Sequence, residues 1–164
     1  AALVMGDALA VSLLESRGFT REDFARSHPA GQLGRRLVIH IRDLMHTGDD
    51  MPTVNHEATV TEAIVEMTAK RLGMTAVLDD DGLVVGVYTD GDLRRTLESG
   101  QDPRTTSVSA VMTRNGVSIS PDALAVDAVQ IMQDHKIQGL LAIEPDGRLA
   151  GVLNFHDLLL AGVV

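Results

Sequence analysis

The sequence predicts an α/β (α+β) protein of two tandem β-α-β-β-α units, packed sheet to sheet about a pseudo-twofold axis and preceded by a helical N-terminal segment. Three observations predict it. First, the chain repeats itself. Displaced by 65 residues, Val54 to Leu93 aligns without a gap on Ile119 to Leu158 and gives nine identities, where chance pairing gives roughly two or three. Second, each copy switches from a helical to a hairpin pattern at the same place. Third, the hairpin strands are nearly continuous apolar runs, which calls for burial on both faces. A unit of about 55 residues buries little core alone, and pairing two units supplies the missing cover.

The elements follow in order. "TVTEAIVEMTAKRLG" places Val60, Ala63, Ile64 and Met67 on one helical face, and Thr59 and Glu62 have capping-box spacing. "MTAVLDDDGLVVGVYTD" reads as strand, Asp79-Asp80-Asp81-Gly82 turn, strand. "DLRRTLESG" is a helix ending near Gly100. The second copy repeats this in "LAVDAVQIMQDHKI", "GLLAIEPDGRLAGVLN" and "HDLLLAG", after the polar connector 99–109. Upstream, "RDLMHTGDDMPTV" and "SAVMTRNGVSI" align with a two-residue adjustment. The expected domains are 1–41, 42–100 and 101–164. Residues 1–24 carry Leu3, Val4, Met5, Leu9, Val11, Leu13 and Leu14 over most of a helix surface, so that helix is expected to bury against another domain or chain.

Composition narrows the function classes. A net charge of −9 argues against a nucleic-acid backbone or an anionic membrane as the main partner. With no cysteine, disulfides and thiolate metal sites are excluded, which suits a cytoplasmic location. The six histidines form no H-x-x-x-H or H-E-x-x-H pattern, so no metal site is expected. The Asp79–Gly82 run lacks the ligand series of a calcium loop and reads as a turn.

Both copies share Gly-Val-x-polar-x-x-Asp-Leu, "GVYTDGDL" from Gly86 and "GVLNFHDL" from Gly151. Thr89 and Asp92 read two ways: as a helix capping box, or as a hydroxyl and carboxylate for a sugar or phosphate. A helix N-terminus that attracts anions makes the two compatible. Asn154 and Asp157 repeat the pair in softer form. Phe155-His156 replace Asp90-Gly91, and Leu159-Leu160 replace Arg94 and Arg95. The clefts are therefore expected to be unequal, the first suiting an anion, unless the arginines are simply solvated. Lys70-Arg71 and His135-Lys136 stand at equivalent places before the first hairpin strand. They can hold phosphate or a sugar carboxylate, or merely favour their helix C-termini. Backbone at Gly73, Met74 and Thr75, and at Gly139-Leu140, can contact a base.

The repeated motif within its β-α-β-β-α frame, over residues 42–162, resembles the CBS domain pair. That resemblance implies binding of an adenine or other nucleotide, with regulation of an attached domain. "LVMGDALAVSLLESRGFTREDFARSHPAGQLGRRL", running into "RDLMHTGDDMP", is similar to the segment joining a sugar isomerase (SIS) domain to a CBS pair in D-arabinose-5-phosphate isomerases. "GMTAV", "TDGDLRR" and "HDLLLAGVV" resemble the same family. That family is about twice this length, supplies Kdo for lipopolysaccharide, and uses a catalytic His that matches His28. The rest of its site should lie in the SIS domain, so His28 alone reads as a linker residue. The resemblance implies no required cofactor and a homo-oligomer, a CBS-pair dimer within a tetramer, with the SIS domain as a partner in the same chain. It suggests CMP-Kdo or an adenine nucleotide as ligand. The rival expectation is an oligomerisation module without a ligand.

Overall fold

The computed structural model describes residues 38–164. The expected N-terminal helix and His28 lie outside the described residues. A short 3-10 turn at Ile41–Asp43 and another at Gly48–Asp50 lead into the first unit. That unit comprises β1 (Thr53–Asn55), α1 (Val60–Lys70), β2 (Met74–Leu78), β3 (Val84–Thr89) and α2 (Asp90–Glu98). After the connector come α3 (Val108–Val111), β4 (Thr113–Arg114), β5 (Ser118–Ile119), α4 (Ala125–His135), β6 (Gly139–Ile143), β7 (Leu149–Asn154) and α5 (Phe155–Leu160).

Local chemistry sets the boundaries. The Thr59 hydroxyl accepts the Glu62 N–H, and the Glu62 carboxylate accepts the Thr59 N–H at 2.7 Å, so the predicted capping box forms. In the hairpin turn, the Asp79 carboxylate accepts the N–H groups of Asp81 and Leu83. The second unit has Leu124 where the first has Thr59, and α4 starts without a side-chain cap. Its backbone is engaged instead by an antiparallel bridge to His40.

The sheets are ordered β1-β2-β3-β4 and β5-β6-β7. β1 runs parallel to β2, and β5 parallel to β6, each with an antiparallel hairpin beside it. Between the sheets Leu72, Met74, Ala76 and Val87 of the first unit meet Leu141 and Val152 of the second. On the other face of the first sheet, Val77 and Tyr88 pack on Val60 and Ala63 of α1. Pseudo-symmetry is visible in paired contacts. Leu83 and Arg148, equivalent by the 65-residue shift, bridge each other at the hairpin tips. There Val84 N–H donates to the Gly147 carbonyl at 3.1 Å.

One feature departs from the expected order of elements. β4, which opens the second unit, lies in the first sheet against β3, pairing Thr113 with Val87. Reciprocally, His46, which precedes β1, pairs with Val152 of β7. Each unit's opening segment has crossed to its neighbour. The crossing explains the glycine of the shared motif. A Cβ on Gly86 would stand 2.6 Å from Met112 Sδ and 2.9 Å from the Thr113 carbonyl oxygen. One on Gly151 would stand 2.5 Å from Met45 Sδ and 2.9 Å from the His46 carbonyl oxygen. The glycine lets the crossing strand close on the hairpin.

Gly86→Ala therefore tests the crossing. Because backbone as well as Met112 blocks the new methyl, the substitution should cost about 1–3 kcal/mol, read as a lower denaturation midpoint. An unchanged midpoint would show that β4 does not sit tightly on β3.

Candidate functional site

A cavity of about 480 Å³ opens where the ends of the two hairpins meet. The first unit contributes Leu72, Gly73 and Met74 at the start of β2, Thr89 at the end of β3, and Asp90, Gly91 and Arg95 of α2. The second contributes Thr113, Gly116 and Val117 of the crossing segment, and Lys136 to Gly139 before β6. Leu72, Met74, Val87, Val117 and Ile137 make an apolar floor. Arg95 and Lys136 supply positive charge, Asp90 a carboxylate, and Thr89 and Thr113 hydroxyls.

Position in the fold explains these placements. Arg71 and Lys136, equivalent in the repeat, both adopt left-handed backbone at φ 60° and 55° where α1 and α4 end. This turn brings the next residues to the cavity's edge. Gly139 admits the Met74 side chain, which lies where a Cβ would be. The same position thus holds a large residue in one unit and none in the other.

Of the two readings of Thr89 and Asp92, the capping box forms. Asp92 is 2% exposed and does not line the cavity. Its Oδ2 accepts the Thr89 N–H at 2.9 Å and the Thr89 hydroxyl at 2.6 Å. Its Oδ1 accepts the Thr113 hydroxyl at 2.9 Å and the Arg95 guanidinium. Four donors thus satisfy a buried carboxylate, as its burial requires. Behind it, the Thr96 hydroxyl donates to the Asp92 carbonyl at 2.8 Å, so the Tyr88 hydroxyl, 3.1 Å away, donates to Thr96. Burial raises the Tyr88 pKa above the ordinary phenol range, with the Asp92 charge adding to the rise and the bond to Thr96 opposing it. Tyr88 remains a neutral donor.

Of the other expected ligand residues, Thr89, Gly73, Met74, Arg95, Lys136 and Gly139 line the cavity, and the rest do not. Lys70 donates to the Asp49 carbonyl. Arg71 caps α1, while Arg94 and His135 are exposed. Thr75 is fully buried, and its hydroxyl has no partner. It pairs with Tyr88 across the hairpin, on the face turned toward the helices, whereas Met74 faces the second unit. Asn154 caps α5, and Asp157 Oδ1 lies 3.0 Å from His46 Nε2. Asp90, Gly91, Thr113 and Gln138 are cavity residues that sequence reasoning missed. The two-residue adjustment of the repeat aligns Thr113 with His46. Among the described residues no group of His, Asp and Glu is placed to hold a metal ion, and no helix is long and apolar enough to cross a membrane.

Two substitutions separate the roles of these groups. Asp92→Ala removes the carboxylate half of the α2 capping box and the acceptor for Thr113. It should cost about 2–3 kcal/mol, with little from Arg95, whose side chain is 65% exposed. Thr75→Val removes a hydroxyl that has no partner and should leave stability unchanged or raise it by about 1 kcal/mol. Chemical denaturation reads both, and a large loss in Thr75→Val would reveal an unrecognised hydrogen bond.

Comparison with known proteins agrees with this architecture. The CBS domain family model matches twice, over residues 41–99 and 108–163. Arabinose 5-phosphate isomerase KdsD of Salmonella typhimurium is 52% identical over 164 residues, all of this chain and 50% of that protein. The chain spans about half the length of the curated relatives it matches, their C-terminal half. Among solved structures, CBSX2 in complex with AMP superposes with a TM-score of 0.65 at 23% identity, covering 76% of this chain and 96% of that one. The CBS domain protein PAE2072 from Pyrobaculum aerophilum, complexed with AMP, gives 0.66 at 20% identity, covering 73% and 90%. These two likenesses speak to the fold. With both repeats matched by the family model and joined about a pseudo-dyad, the chain belongs to the CBS domain family as a tandem pair.

Proposed function

We propose that this pair is the ligand-sensing half of an arabinose 5-phosphate isomerase, and that its cavity takes a nucleotide or nucleotide-sugar. The observation that carries the reading is the cavity's division into an apolar floor and a rim holding Arg95 and Lys136. A base suits the floor, and a phosphate suits two cations, one of them a guanidinium able to bind bidentately. The volume of about 480 Å³ is in the range of small-molecule sites. Two cations facing one carboxylate favour one or two negative charges over a triphosphate. CMP-Kdo, downstream of the isomerase product, is the candidate that fits the curated relatives; AMP is the one that fits the solved neighbours. The other expected cations, Arg94, Lys70, Arg71 and His135, have no part in this reading.

The mechanism runs through Arg95. Without ligand it pairs with Asp92. A bound phosphate competes for the same guanidinium, and its departure leaves Asp92 Oδ1 to the Thr113 hydroxyl or a ribose hydroxyl. Thr113 lies on the crossing strand, so the occupant's contacts reach the junction between the units. A ligand preferring one arrangement of that junction shifts the attached enzyme toward it. In the intact enzyme, His28 is assigned to the isomerase site, and the cytoplasm to its location.

Calorimetry on the chain with CMP-Kdo, AMP, CMP and ATP tests this. A monophosphate or nucleotide-sugar should bind below millimolar and ATP more weakly, and Arg95→Ala and Lys136→Ala should each weaken binding about tenfold, equivalent to about 1.4 kcal/mol. No binding below millimolar by any of the four would sink the sensor.

A second reading draws on the surface. Leu97, Leu159 and Leu160 are exposed at 57%, 51% and 74%. Such residues on α2 and α5 favour a self-association module that holds the isomerase oligomer. It predicts that Leu160→Glu lowers the mass in sedimentation, while nucleotides leave the kinetics of the intact isomerase unchanged.

A further inference from the structure

The duplication supplies two equivalent carboxylates, Asp92 and Asp157, each at the third position of its helix. Each also faces the crossing segment of the other unit. Asp92 Oδ1 accepts Thr113 at 2.9 Å, and Asp157 Oδ1 lies 3.0 Å from His46 Nε2. Thr113 and His46 are themselves equivalent, since they pair with the equivalent strand residues Val87 and Val152. A carboxylate only accepts, so Nε2 carries the proton of the His46–Asp157 bond. Two backbone bonds flank it: His46 N–H to the Val152 carbonyl at 2.8 Å, and Val152 N–H to the His46 carbonyl at 3.1 Å.

The surroundings of the two carboxylates have diverged. Beside Asp92 stand Asp90, Gly91 and Arg95, which line the cavity. Their counterparts beside Asp157 are Phe155, His156 and Leu160, so no guanidinium competes for that carboxylate. Asp157 Oδ2 is held by the Asn154 N–H at 2.7 Å. The nearest counterpart of the Gly116-Val117 stretch is the Asp49-Asp50 stretch, and the Asp49 carbonyl already holds Lys70. The Arg95 counterpart is gone from this side, while Arg71, the counterpart of Lys136, is kept at the end of α1. What remains is a carboxylate facing an imidazole that reaches across from the first unit's opening segment.

We propose that the duplicated sites have divided their work: the Asp92 side keeps the ligand cavity, and the Asp157 side is a latch. His46 holds the position at Asp157 where a ligand hydroxyl would have to donate. The bond fastens the segment entering the first unit to the second unit. Each chain then takes one nucleotide, not two. The stoichiometry rests on the function proposed above, whereas the latch rests on the His46–Asp157 geometry alone.

The test has two arms on the whole chain. In calorimetry with AMP, saturation at one equivalent per chain is expected. Two equivalents, with the second lost in Asp157→Ala, would overturn the division. In amide hydrogen exchange without ligand, His46→Ala should speed exchange at His46 and Val152 by about tenfold or more, because local opening limits it. His46→Gln keeps an N–H donor and should stay within about threefold of the parent. Unchanged exchange in His46→Ala, or Gln exchanging as fast as Ala, would overturn the latch. Failure of AMP to bind at all counts against the sensor, and the exchange arm still decides the latch.

Discussion

The exchange of opening segments is the constraint on which the rest of this molecule depends. Ile41 N–H donates to the Ala123 carbonyl of the second unit, and Val108 N–H donates to the Ala58 carbonyl of the first. Both side chains are fully buried. Val108 completes the first unit's helix-side core with Val60, Ala63, Val77 and Tyr88. Neither repeat closes its own core, and each unit is finished by residues that belong, in sequence, to the other. The two units must fold as one cooperative body, because unfolding either strips apolar cover from its partner.

The same exchange determines what the shared carboxylates do. A crossing strand that supplied no donor beside α2 would leave Asp92 short of one of its four hydrogen bonds, a costly state for a buried charge. Thr113 fills that place in one unit and His46 in the other. Each acidic residue thus works first as a junction between chain segments. Any occupant of the cavity would lie next to that junction, since Thr89, Arg95 and Thr113 all touch both the cavity and Asp92.

Much of this was legible in the sequence because it is local. Thr59 and Glu62 cap their helix within four residues, and Asp79 to Gly82 turn the hairpin by their own side chains. Helix, hairpin and helix boundaries follow from such contacts together with the repeat. The crossing was not legible. It is a register between segments tens of residues apart, and the two-residue strands that record it have no periodicity. For the same reason Asp92 looked available: three of its donors, the Thr89 N–H and hydroxyl and the Arg95 guanidinium, are local, but Thr113 comes from the crossing strand. Thr75 was placed at the site only by grouping it with Gly73 and Met74. Along a strand, neighbours face opposite ways, so one step from Met74 turns toward the helices.

The bridged hairpin tips carry a mechanical consequence. Leu83 and Arg148 meet at one end of the paired sheets, while Gly73, Met74 and Thr89 border the cavity at the other. Strand β2 between these ends has five residues, about 16 Å at the usual rise. Any swing of one unit against the other about these tips would turn as two blades on a rivet. Travel in such a swing would be least at the rivet and greatest across the cavity at the far end, so that opening is where a slight swing becomes a measurable change in width.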